Sequence, residues 1–384
     1  MMKIGILTYW KSINNYGEQL QCFALQKYLE NLGHEPFLIR YDYDADVIYG
    51  SSPFYLRLLR VCNPQRLAFY IRSKRNNRKK ILDGKKHPRG FEKFREDNLS
   101  AGRVYRSIDE LRNDPPEADV YITGSDQVWN TFGGKLSEKK NLLRAFYLDF
   151  GRRDVLRISY AASFGRSELP KDEISLVAPL LQRFDAVSVR EKSGIRVCGD
   201  LGRRDALLSC DPVLLHDADF YRKMYTDNGV CKKENRYLFF YYMNNGRDKN
   251  VKSVFETAAS LGLEVVYVTD DTCEKPERSF PGVWEWVSLI DNAECVVTNS
   301  YHCILFSYIF GKKVSVIGRT GKYAGMNTRL DSFFETFGIT PNYFESIPDE
   351  NLKGSDGTLG IEVPEDLKRP EYVIETAGGR LYER

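Results

Sequence analysis

Short apolar runs alternate with amphipathic stretches along most of the chain. The run from Lys3 to Tyr9 predicts a strand, a polar loop from Ser12 to Gly17 follows, and helical apolar spacing then continues until Gly33. The next apolar run, EPFLIRYD, predicts a second strand. This order of strand, loop, helix and strand indicates a parallel α/β unit, in which ligands bind beyond the carboxyl ends of the strands. We therefore expect the loop before Gly17 to touch a ligand.

The same alternation continues in two successive halves of the chain. Strands are predicted at DVYITG, RAFYLDFG, RISYAA and DAVSVRE, and then at RYLFFYYM, EVVYVTD, CVVTN and KVSVIG, with helices between most of them. We therefore predict an α/β fold with two doubly wound, Rossmann-type domains that face a cleft. The predicted domains are 1–216 and 235–345, followed by an extension, 346–384, that packs back on the first domain.

Residues 53–89 interrupt this alternation and form a predicted basic insertion. Its second part, RSKRNNRKKILDGKKHPR, is half Lys and Arg. Such a segment can contact an anionic membrane surface or line the channel of an anionic substrate, and it can equally be a solvated excursion. Nucleic-acid binding is disfavoured, because no recognised nucleic-acid-binding motif surrounds the basic run.

Composition excludes several classes of protein. The 384 residues are 42% hydrophobic and carry a formal net charge of +3, which indicates a globular chain without a strong overall charge. The eight cysteines form no CxxC pair, and with only four histidines they predict neither a zinc framework nor another metal site. No signal peptide or spanning segment is apparent, so we expect reduced thiols and a cytoplasmic protein, with peripheral contact at the inner membrane face through the insertion.

The stretch CVVTNSYHC combines an anion-binding feature with a titratable group. Ser300 is predicted to cap a helix that begins near Tyr301, and His302 lies in the first turn of that helix. The backbone N–H groups at a helix start attract phosphate or carboxylate, and a histidine can donate a proton near neutral pH. The alternative is a structural histidine at a strand-to-helix turn.

Two further segments carry polar groups at predicted strand ends. Arg190 in VSVREKSG can hold a carboxylate or phosphate through two parallel hydrogen bonds, or can pair with Glu191 instead. GSDQVWN offers the carboxylate of Asp126, the amide of Gln127 and the ring of Trp129, which suit the hydroxyls and ring of a sugar. Its alternative is an Asx turn beside a buried tryptophan. The sequence contains no P-loop, GxGxxG, HExxH or GxSxG motif.

Six segments in order resemble the polysaccharide pyruvyl transferase family: KIGILTYWKSINNYGEQLQCFALQKYLENLGHE, DVYITGSDQVWN, RISYAASFG, VSVREKSG, CDPVLL and VVTNSYHCILFSYIFGKKV. The resemblance covers about residues 3–335. It implies a GT-B-like fold and the transfer of the pyruvyl group of phosphoenolpyruvate to sugar hydroxyls. The product would be a ketal on a bacterial surface polysaccharide or on its lipid-linked precursor. Phosphoenolpyruvate would be a co-substrate, and no further cofactor is implied.

The resemblance also implies roles for individual residues. His302 would be the proton donor, Arg190 would hold a charged group of the donor, and Asp126 is our candidate base for the acceptor hydroxyl. Family members often have an arginine where this chain has Ser300, so another cation is expected beside Ser300 and Tyr301. The candidates for this cation are Arg319, Lys322 and Arg329. The residues expected to face the acceptor are Asn14, Asn15, Tyr16, Gly17, Ser125, Gln127 and Trp129.

Two other functions remain open from the sequence. A glycosyltransferase that uses a nucleotide sugar would share the two-domain architecture and the cleft, because a fold does not fix a function. A non-catalytic relative that binds sugars or anions is suggested by Ser300 at the position where arginine is frequent.

Overall fold

The structure is a computed structural model that describes residues 1–43, 78–79, 82–131, 136–243, 249–272, 276–319, 327–344 and 363–368. The strands of these residues are β1 Lys3–Leu7, β2 Glu35–Tyr41, β3 Ala101–Tyr105, β4 Val120–Thr123, β5 Leu156–Ala162, β6 Ala186–Val189, β7 Leu207–Leu208, β8 Tyr237–Tyr242, β9 Glu264–Thr269, β10 Cys295–Thr298 and β11 Val314–Val316.

Helices connect most of these strands. They are α1 Tyr16–Asn31, α2 Phe91–Asn98, α3 Ile108–Asn113, α4 Leu136–Phe146, α5 Lys171–Leu181, α6 Lys192–Asp200, α7 Ala218–Asp227, α8 Lys249–Ser260, α9 Val283–Asp291, α10 Tyr301–Ile309, α11 Thr328–Phe337 and α12 Glu365–Lys368. A short 3₁₀ helix, Pro212–Leu215, precedes α7.

The first sheet has seven parallel strands in the order β3-β2-β1-β4-β5-β6-β7. Strands β4, β5 and β6 are buried along their whole length, as expected for a parallel sheet with helices on both faces. The strand order reverses between β1 and β4, which pair directly. The loops that follow these two strands therefore border a crevice at the carboxyl edge of the sheet, where ligands of doubly wound folds bind.

The second sheet has four parallel strands in the order β11-β10-β8-β9. Its order reverses between β8 and β10, so a second crevice opens beyond the carboxyl ends of these two strands. The two sheets use residues 3–208 and 237–316, which lie inside the two predicted halves of the chain. The α/β class and the two doubly wound units are thus confirmed.

Helix α1 joins the two halves through apolar contacts. Its residues Tyr16, Leu20 and Phe23 share one buried cluster with residues of α9 and α10. The ring of Tyr16 stacks on Trp286 of α9 at 5.0 Å, and its hydroxyl donates to the carbonyl of Pro281 over 2.8 Å. Burial of this apolar surface stabilises the packing that brings the two crevices together.

One predicted strand forms the end of a helix instead. RAFYLDFG was expected to be a strand, but α4 continues to Phe146, and the Tyr147 N–H donates to the Leu143 carbonyl over 2.7 Å. A short apolar run does not distinguish a buried helix from a strand, and here the helical spacing of the leucines decides. Most of the predicted insertion, residues 53–77, lies outside the described residues.

The described part of the C-terminal extension touches the first half of the chain. The carbonyl of Leu367 accepts a hydrogen bond from the Cys210 N–H at 2.9 Å, and the Lys368 carbonyl accepts one from the Tyr160 hydroxyl at 3.3 Å. Among the described helices none is long and apolar enough to cross a bilayer. Within the same residues, no cluster of His, Cys, Asp and Glu side chains has a geometry suited to a metal ion.

Candidate functional site

The loops at the two crevices meet in a central cleft of about 330 Å³. The loops after β1 and β4 contribute from the first sheet, and the segments after β8 and β10 contribute from the second. The cleft is lined by Tyr9, Asn15, Glu18, Tyr43, Asp126, Gln127, Lys139, Leu142, Met243, Ser300, Tyr301, His302, Arg319 and Arg329. Both halves of the chain thus contribute polar side chains to the lining of the cleft.

His302 projects from the first turn of α10 into this cleft. Its Nε2 lies 3.4 Å from a carboxylate oxygen of Asp211, which is fully buried. Ser300 is at the N-cap position as expected, but its side chain makes no capping hydrogen bond. The expectation that the Ser300 side chain caps the helix is therefore wrong. The N-cap side chain accepts no hydrogen bond from the backbone N–H groups of the first turn.

Gly17 allows the first domain to approach this histidine. A Cβ atom built on Gly17 would overlap the imidazole ring of His302 and would lie 2.7 Å from the Cβ of His302. Only glycine permits helix α1 to come this close to α10. Gly17 itself is not a lining residue; it packs against the His302 ring and restricts the ring from the side of α1.

Arg190 lies behind the wall of the cleft rather than in it. Its guanidinium forms an ion pair with Asp211, lies 3.4 Å from Asp126, and donates to the Ser125 hydroxyl over 3.3 Å. Burial lowers the pKa of Arg190, but attraction to Asp211, Tyr301 and Asp126 raises it by a larger amount. The net shift of the pKa is therefore upward. Arg190 therefore does not line the cleft, and its guanidinium neutralises carboxylates beside His302.

Asp126 is a poor candidate for a general base. Burial raises its pKa, but the stronger combined attraction of Arg190, His302 and Arg329 lowers the pKa of Asp126 below its ordinary value. A carboxylate held in this way accepts a proton only weakly near neutral pH. The residue lies in the cleft, with a backbone φ of +75°, and its carboxylate is 3.4 Å from Arg190 and 3.7 Å from Arg329.

Arg329 crosses the cleft from the second half of the chain. It lies 3.7 Å from Asp126, and with the Gln127 amide oxygen turned toward it, it donates two hydrogen bonds to Gln127 over 3.0 and 3.1 Å. Burial and the nearby Arg190 lower the pKa of Arg329 to about 10, so the guanidinium stays charged at neutral pH. The guanidinium also lies 5.2 Å from the centre of the Tyr301 ring.

Arg319 is the second cation that the second half contributes. Its Nε donates to the Asn299 carbonyl over 2.9 Å, and its backbone exchanges hydrogen bonds with the side chain of Asn327. Arg319 and Arg329 therefore both stand beside Ser300 and Tyr301, where the sequence led us to expect a replacement cation. Lys322, the third candidate, lies outside the described residues.

Glu18 is a cleft residue that the sequence analysis missed. Its carboxyl is buried in α1 and accepts a hydrogen bond from the Ser12 N–H at 2.7 Å. Burial raises the pKa of Glu18 to about 8, and the charge of Asp126 adds to that rise. A carboxyl with a pKa near neutral can accept or donate a proton at working pH. Its position three residues after Asn15, in the first turn of a helix that begins at the cleft, was the signal in the sequence.

Five other cleft residues were also missed: Tyr9, Tyr43, Lys139, Leu142 and Met243. Tyr9 and Tyr43 contact each other edge to face at 5.3 Å and supply the aromatic part of the lining. Lys139 of α4 adds a cation from the first half. Lys139 belongs to α4, the helix whose last residues were wrongly predicted to be a strand, and no local pattern in the sequence placed it at the cleft.

Several expected acceptor contacts are structural instead. Trp129 is fully buried, stacks on Tyr147 at 4.9 Å and donates to the Phe146 carbonyl over 3.2 Å, so its ring cannot meet a sugar. Tyr16 is equally buried against Trp286. The buried hydroxyl of Ser125 donates to the Ala161 carbonyl over 3.1 Å. Asn15 and Gln127 do line the cleft, whereas Asn14 faces a neighbouring pocket.

Comparison with protein-family models gives a match to the polysaccharide pyruvyl transferase model over residues 15–321. The chain belongs to the polysaccharide pyruvyl transferase family. This match spans all the cleft residues from Asn15 to Arg319 and supports an enzyme that modifies polysaccharides. No curated protein is similar enough in sequence to count as a relative.

Solved structures show which fold this family member has. It is similar to the UDP-GlcNAc 2-epimerase of Methanocaldococcus jannaschii, with 14% identity, a TM-score of 0.50 and coverage of 97% of this chain and 99% of that one. The Neisseria meningitidis UDP-GlcNAc 2-epimerase has 10% identity, a TM-score of 0.47 and full coverage of both chains. A wall teichoic acid polymerase has 11% identity, a TM-score of 0.45 and coverage of 100% and 83%. The fold of this pyruvyl transferase family member is GT-B.

Proposed function

We propose that this protein transfers the pyruvyl group of phosphoenolpyruvate to hydroxyls of a sugar acceptor and forms a ketal. The charge of the central cleft is the observation that carries this proposal. Among the described residues, Lys139, Arg319 and Arg329 line the cleft together with two carboxyl groups, those of Glu18 and Asp126. Glu18 is largely protonated at neutral pH because its pKa is raised to about 8. The cleft therefore favours a small ligand with more than one negative charge.

Phosphoenolpyruvate has such charges at both ends, a phosphate and a carboxylate. Arg319 and Arg329 offer guanidinium groups to the end near Ser300, where the first turn of α10 adds backbone N–H donors. Lys139 offers an ammonium from the first half of the chain. Cations from both halves can thus bind one donor molecule, which would also hold the two domains together around it.

The proposed reaction begins at the methylene carbon of the donor. His302 gives this carbon a proton, which leaves the central carbon electrophilic, and an acceptor hydroxyl then bonds to that carbon. The bond between the central carbon and the phosphate oxygen breaks, and the electron pair leaves with the phosphate. A second acceptor hydroxyl bonds to the same carbon and closes the ketal. Of the two hydroxyl protons, one returns to His302, and the other is taken up by Glu18 and passes to the departing phosphate.

Glu18 is our proposed base for the acceptor hydroxyl, in place of Asp126. The two carboxyl groups differ because Asp126 is held ionised by arginines, whereas burial raises the pKa of Glu18 to about 8. A base is most effective when its pKa is close to the working pH. Asp211 and Arg190 stand behind the reacting groups, where the Asp211 carboxylate can stabilise a protonated His302.

The acceptor is proposed to be a sugar or a lipid-linked oligosaccharide at the inner face of the membrane. The basic insertion supports this part of the proposal through its composition alone. This part of the proposal predicts that the protein co-sediments with vesicles that contain anionic lipid. Binding that is unchanged when Arg72, Lys74, Arg75, Arg78, Lys79 and Lys80 are all replaced by Gln would contradict membrane contact.

The experiment for the reaction combines purified protein, phosphoenolpyruvate and a panel of p-nitrophenyl glycosides and lipid-linked oligosaccharides. We expect phosphate release together with a pyruvylated sugar in the mass spectrum. His302→Gln should abolish both products, and Glu117→Gln, at a residue exposed far from the cleft, should leave them unchanged. Transfer of a sugar from a nucleotide sugar to the same acceptors, without use of phosphoenolpyruvate, would contradict the proposal.

A further inference from the structure

A second pocket lies on the other side of the loop that borders the central cleft. It has a volume of about 650 Å³, roughly twice that of the cleft, and Ile13 and Asn14 form one of its walls. Asn15, the next residue, lines the central cleft instead. The opposite walls are residues 83–96 of the first half and Asp270, which follows β9 of the second half. The two cavities are thus neighbours along the same interface between the domains.

Specific contacts between the two halves form the walls of the second pocket. Asp83 makes two hydrogen bonds with the guanidinium of Arg278, at 2.7 and 3.0 Å, and Arg89 donates to the Thr269 carbonyl over 2.9 Å. The ring of His87 stacks on Phe280 at 4.0 Å with an angle of 3° between the planes. These contacts hold residues 83–89 against the second half, so the pocket is preformed across both domains.

The charges of the second pocket differ from those of the central cleft. Among the described lining residues, and once Asp83 is paired with Arg278, three cations stand against three carboxylates: Lys85, Arg89 and Lys93, and Glu92, Glu96 and Asp270. A pocket with balanced charge does not select an anion. Closely spaced donors and acceptors of this kind, together with the amide of Asn14, suit a ligand that carries many hydroxyls and no net charge.

We infer that the second pocket binds further sugar units of the acceptor. This inference rests on the proposed function and makes its substrate more specific. A glycan whose reacting sugar lies between Glu18 and His302 would pass the loop at Asn14 and Asn15 and place its next units in the second pocket. The acceptor is therefore an oligosaccharide, and the reaction follows the glycosyl transfers that assemble it.

The test measures glycan binding without turnover, by ligand-observed NMR titration. The probes are glucose, galactose, mannose and N-acetylglucosamine, each compared with its own trisaccharide. We expect at least one trisaccharide to bind about tenfold more tightly than its monosaccharide, a difference of about 1.4 kcal/mol. Equal binding of every trisaccharide and its monosaccharide, or no binding of any of them, would overturn the inference.

Variants of α2 assign the preference to the second pocket. Lys93→Trp should fill the pocket and remove the preference for the trisaccharide, and the milder double variant Glu92→Gln with Glu96→Gln should weaken it. These three side chains lie on the exposed side of α2, and the Lys93 side chain is 79% exposed, so both variants should fold. Glu117→Gln is the matched control and should keep the preference. A preference that survives Lys93→Trp would place the glycan elsewhere and overturn the inference.

The outcomes also separate this inference from the proposed function. Suppose that the protein prefers the trisaccharide, that this preference depends on the second pocket, and that the protein does not use phosphoenolpyruvate. This result would support the glycan site and contradict the proposed pyruvyl transfer. Pyruvyl transfer at the same kcat/KM to a monosaccharide and its trisaccharide would support the proposed function while the glycan site fails.

Discussion

The central cleft and the second pocket lie side by side between the same two domains, yet their charges differ. Among its described lining residues the central cleft has more cations than carboxylates, and His302 lies 3.4 Å from the buried Asp211. In the second pocket, cations and carboxylates balance once the Asp83 and Arg278 pair is set aside. A loop of a few residues separates them, with Asn14 on one side and Asn15 on the other.

Under the proposed assignment, this difference would let one interface bind two unlike substrates. Both cavities lie beyond the carboxyl ends of parallel strands, so the fold explains where they are but not what they bind. The side chains at the strand ends make the distinction: arginines and a histidine suit the charged donor, and mixed polar groups suit an uncharged glycan. Changes in one cavity should therefore affect one substrate and spare the other.

The largest effect is expected from His302→Gln, which removes the proton donor but keeps a polar side chain of similar size. We expect kcat to fall by about 10³-fold, within the range found for general acids. Binding of phosphoenolpyruvate should change little, because the cations of the cleft remain. Steady-state phosphate release and equilibrium dialysis give the two numbers. A variant that loses binding as much as turnover would make His302 a ligand-binding group and not the acid.

A somewhat smaller loss is expected from Gly17→Ala. The new methyl group would overlap the His302 imidazole, so the ring must turn away from Asp211 and from the donor. We expect kcat/KM to fall by roughly 100-fold, since small displacements of a catalytic group have effects of this size. Gly199→Ala is the matched control, because Gly199 is also helical and a Cβ there meets nothing within 4 Å. Equal activity of the two variants would contradict the close approach of α1 and α10.

Arg329→Met tests the donor side of the comparison directly. Loss of a charged hydrogen-bonding group costs about 1.5–3 kcal/mol, which corresponds to roughly 10- to 100-fold weaker binding of phosphoenolpyruvate. Lys93→Met, which removes a cation from the second pocket, should leave that binding unchanged. Equilibrium dialysis with labelled phosphoenolpyruvate compares the two variants. Equal losses in both would show that the two cavities do not divide the substrates.

The smallest expected effect is the pH dependence due to Glu18. A base whose pKa is about 8 is mostly protonated at pH 7, so kcat/KM should rise about fivefold between pH 7 and pH 8 and then level off. Glu18→Gln should be much less active and should lack this rise. A wild-type profile that is flat over this range would contradict Glu18 as the base.

Protein stability gives a second readout of Glu18. Its pKa is raised in the folded state from 4.5 to about 8, so the folded protein binds this proton more tightly than the unfolded chain. The contribution of the protonated carboxyl to stability is therefore complete below pH 4.5 and is lost as pH rises through 8. Denaturant unfolding of the wild type relative to Glu18→Gln should show this decline. An identical pH dependence of the two proteins would show that Glu18 titrates normally.

Much of the fold could be predicted from the sequence because the parallel strands are short, apolar and followed by polar loops. The apolar run RAFYLDFG was misread because such a run fits a buried helix as well as a strand. His302 was predicted from a strand-to-helix turn, and Arg319 and Arg329 were predicted from the family resemblance; all three line the cleft. Glu18 and Lys139 were missed because their position depends on how helices α1 and α4 meet the cleft, which no local pattern shows.

Aromatic residues show the same limit. Trp129 lies in a segment that was correctly placed at the site, but its ring turns inward onto Tyr147. Sequence indicates that a residue follows a strand, whereas the tertiary packing decides whether its side chain faces a ligand or the core. Tyr9 and Tyr43, which do reach the cleft, come from β1 and β2 ends that are adjacent only in the folded sheet.

The most direct test of the central claim is a calorimetric titration of the purified protein with phosphoenolpyruvate, and separately with UDP and GDP sugars. The surplus of cations in the small central cleft predicts saturable binding of phosphoenolpyruvate and none of the nucleotide sugars. Saturable binding of a UDP or GDP sugar, with no heat from phosphoenolpyruvate, would contradict the assignment of the cleft to a pyruvyl donor and would favour a glycosyltransferase.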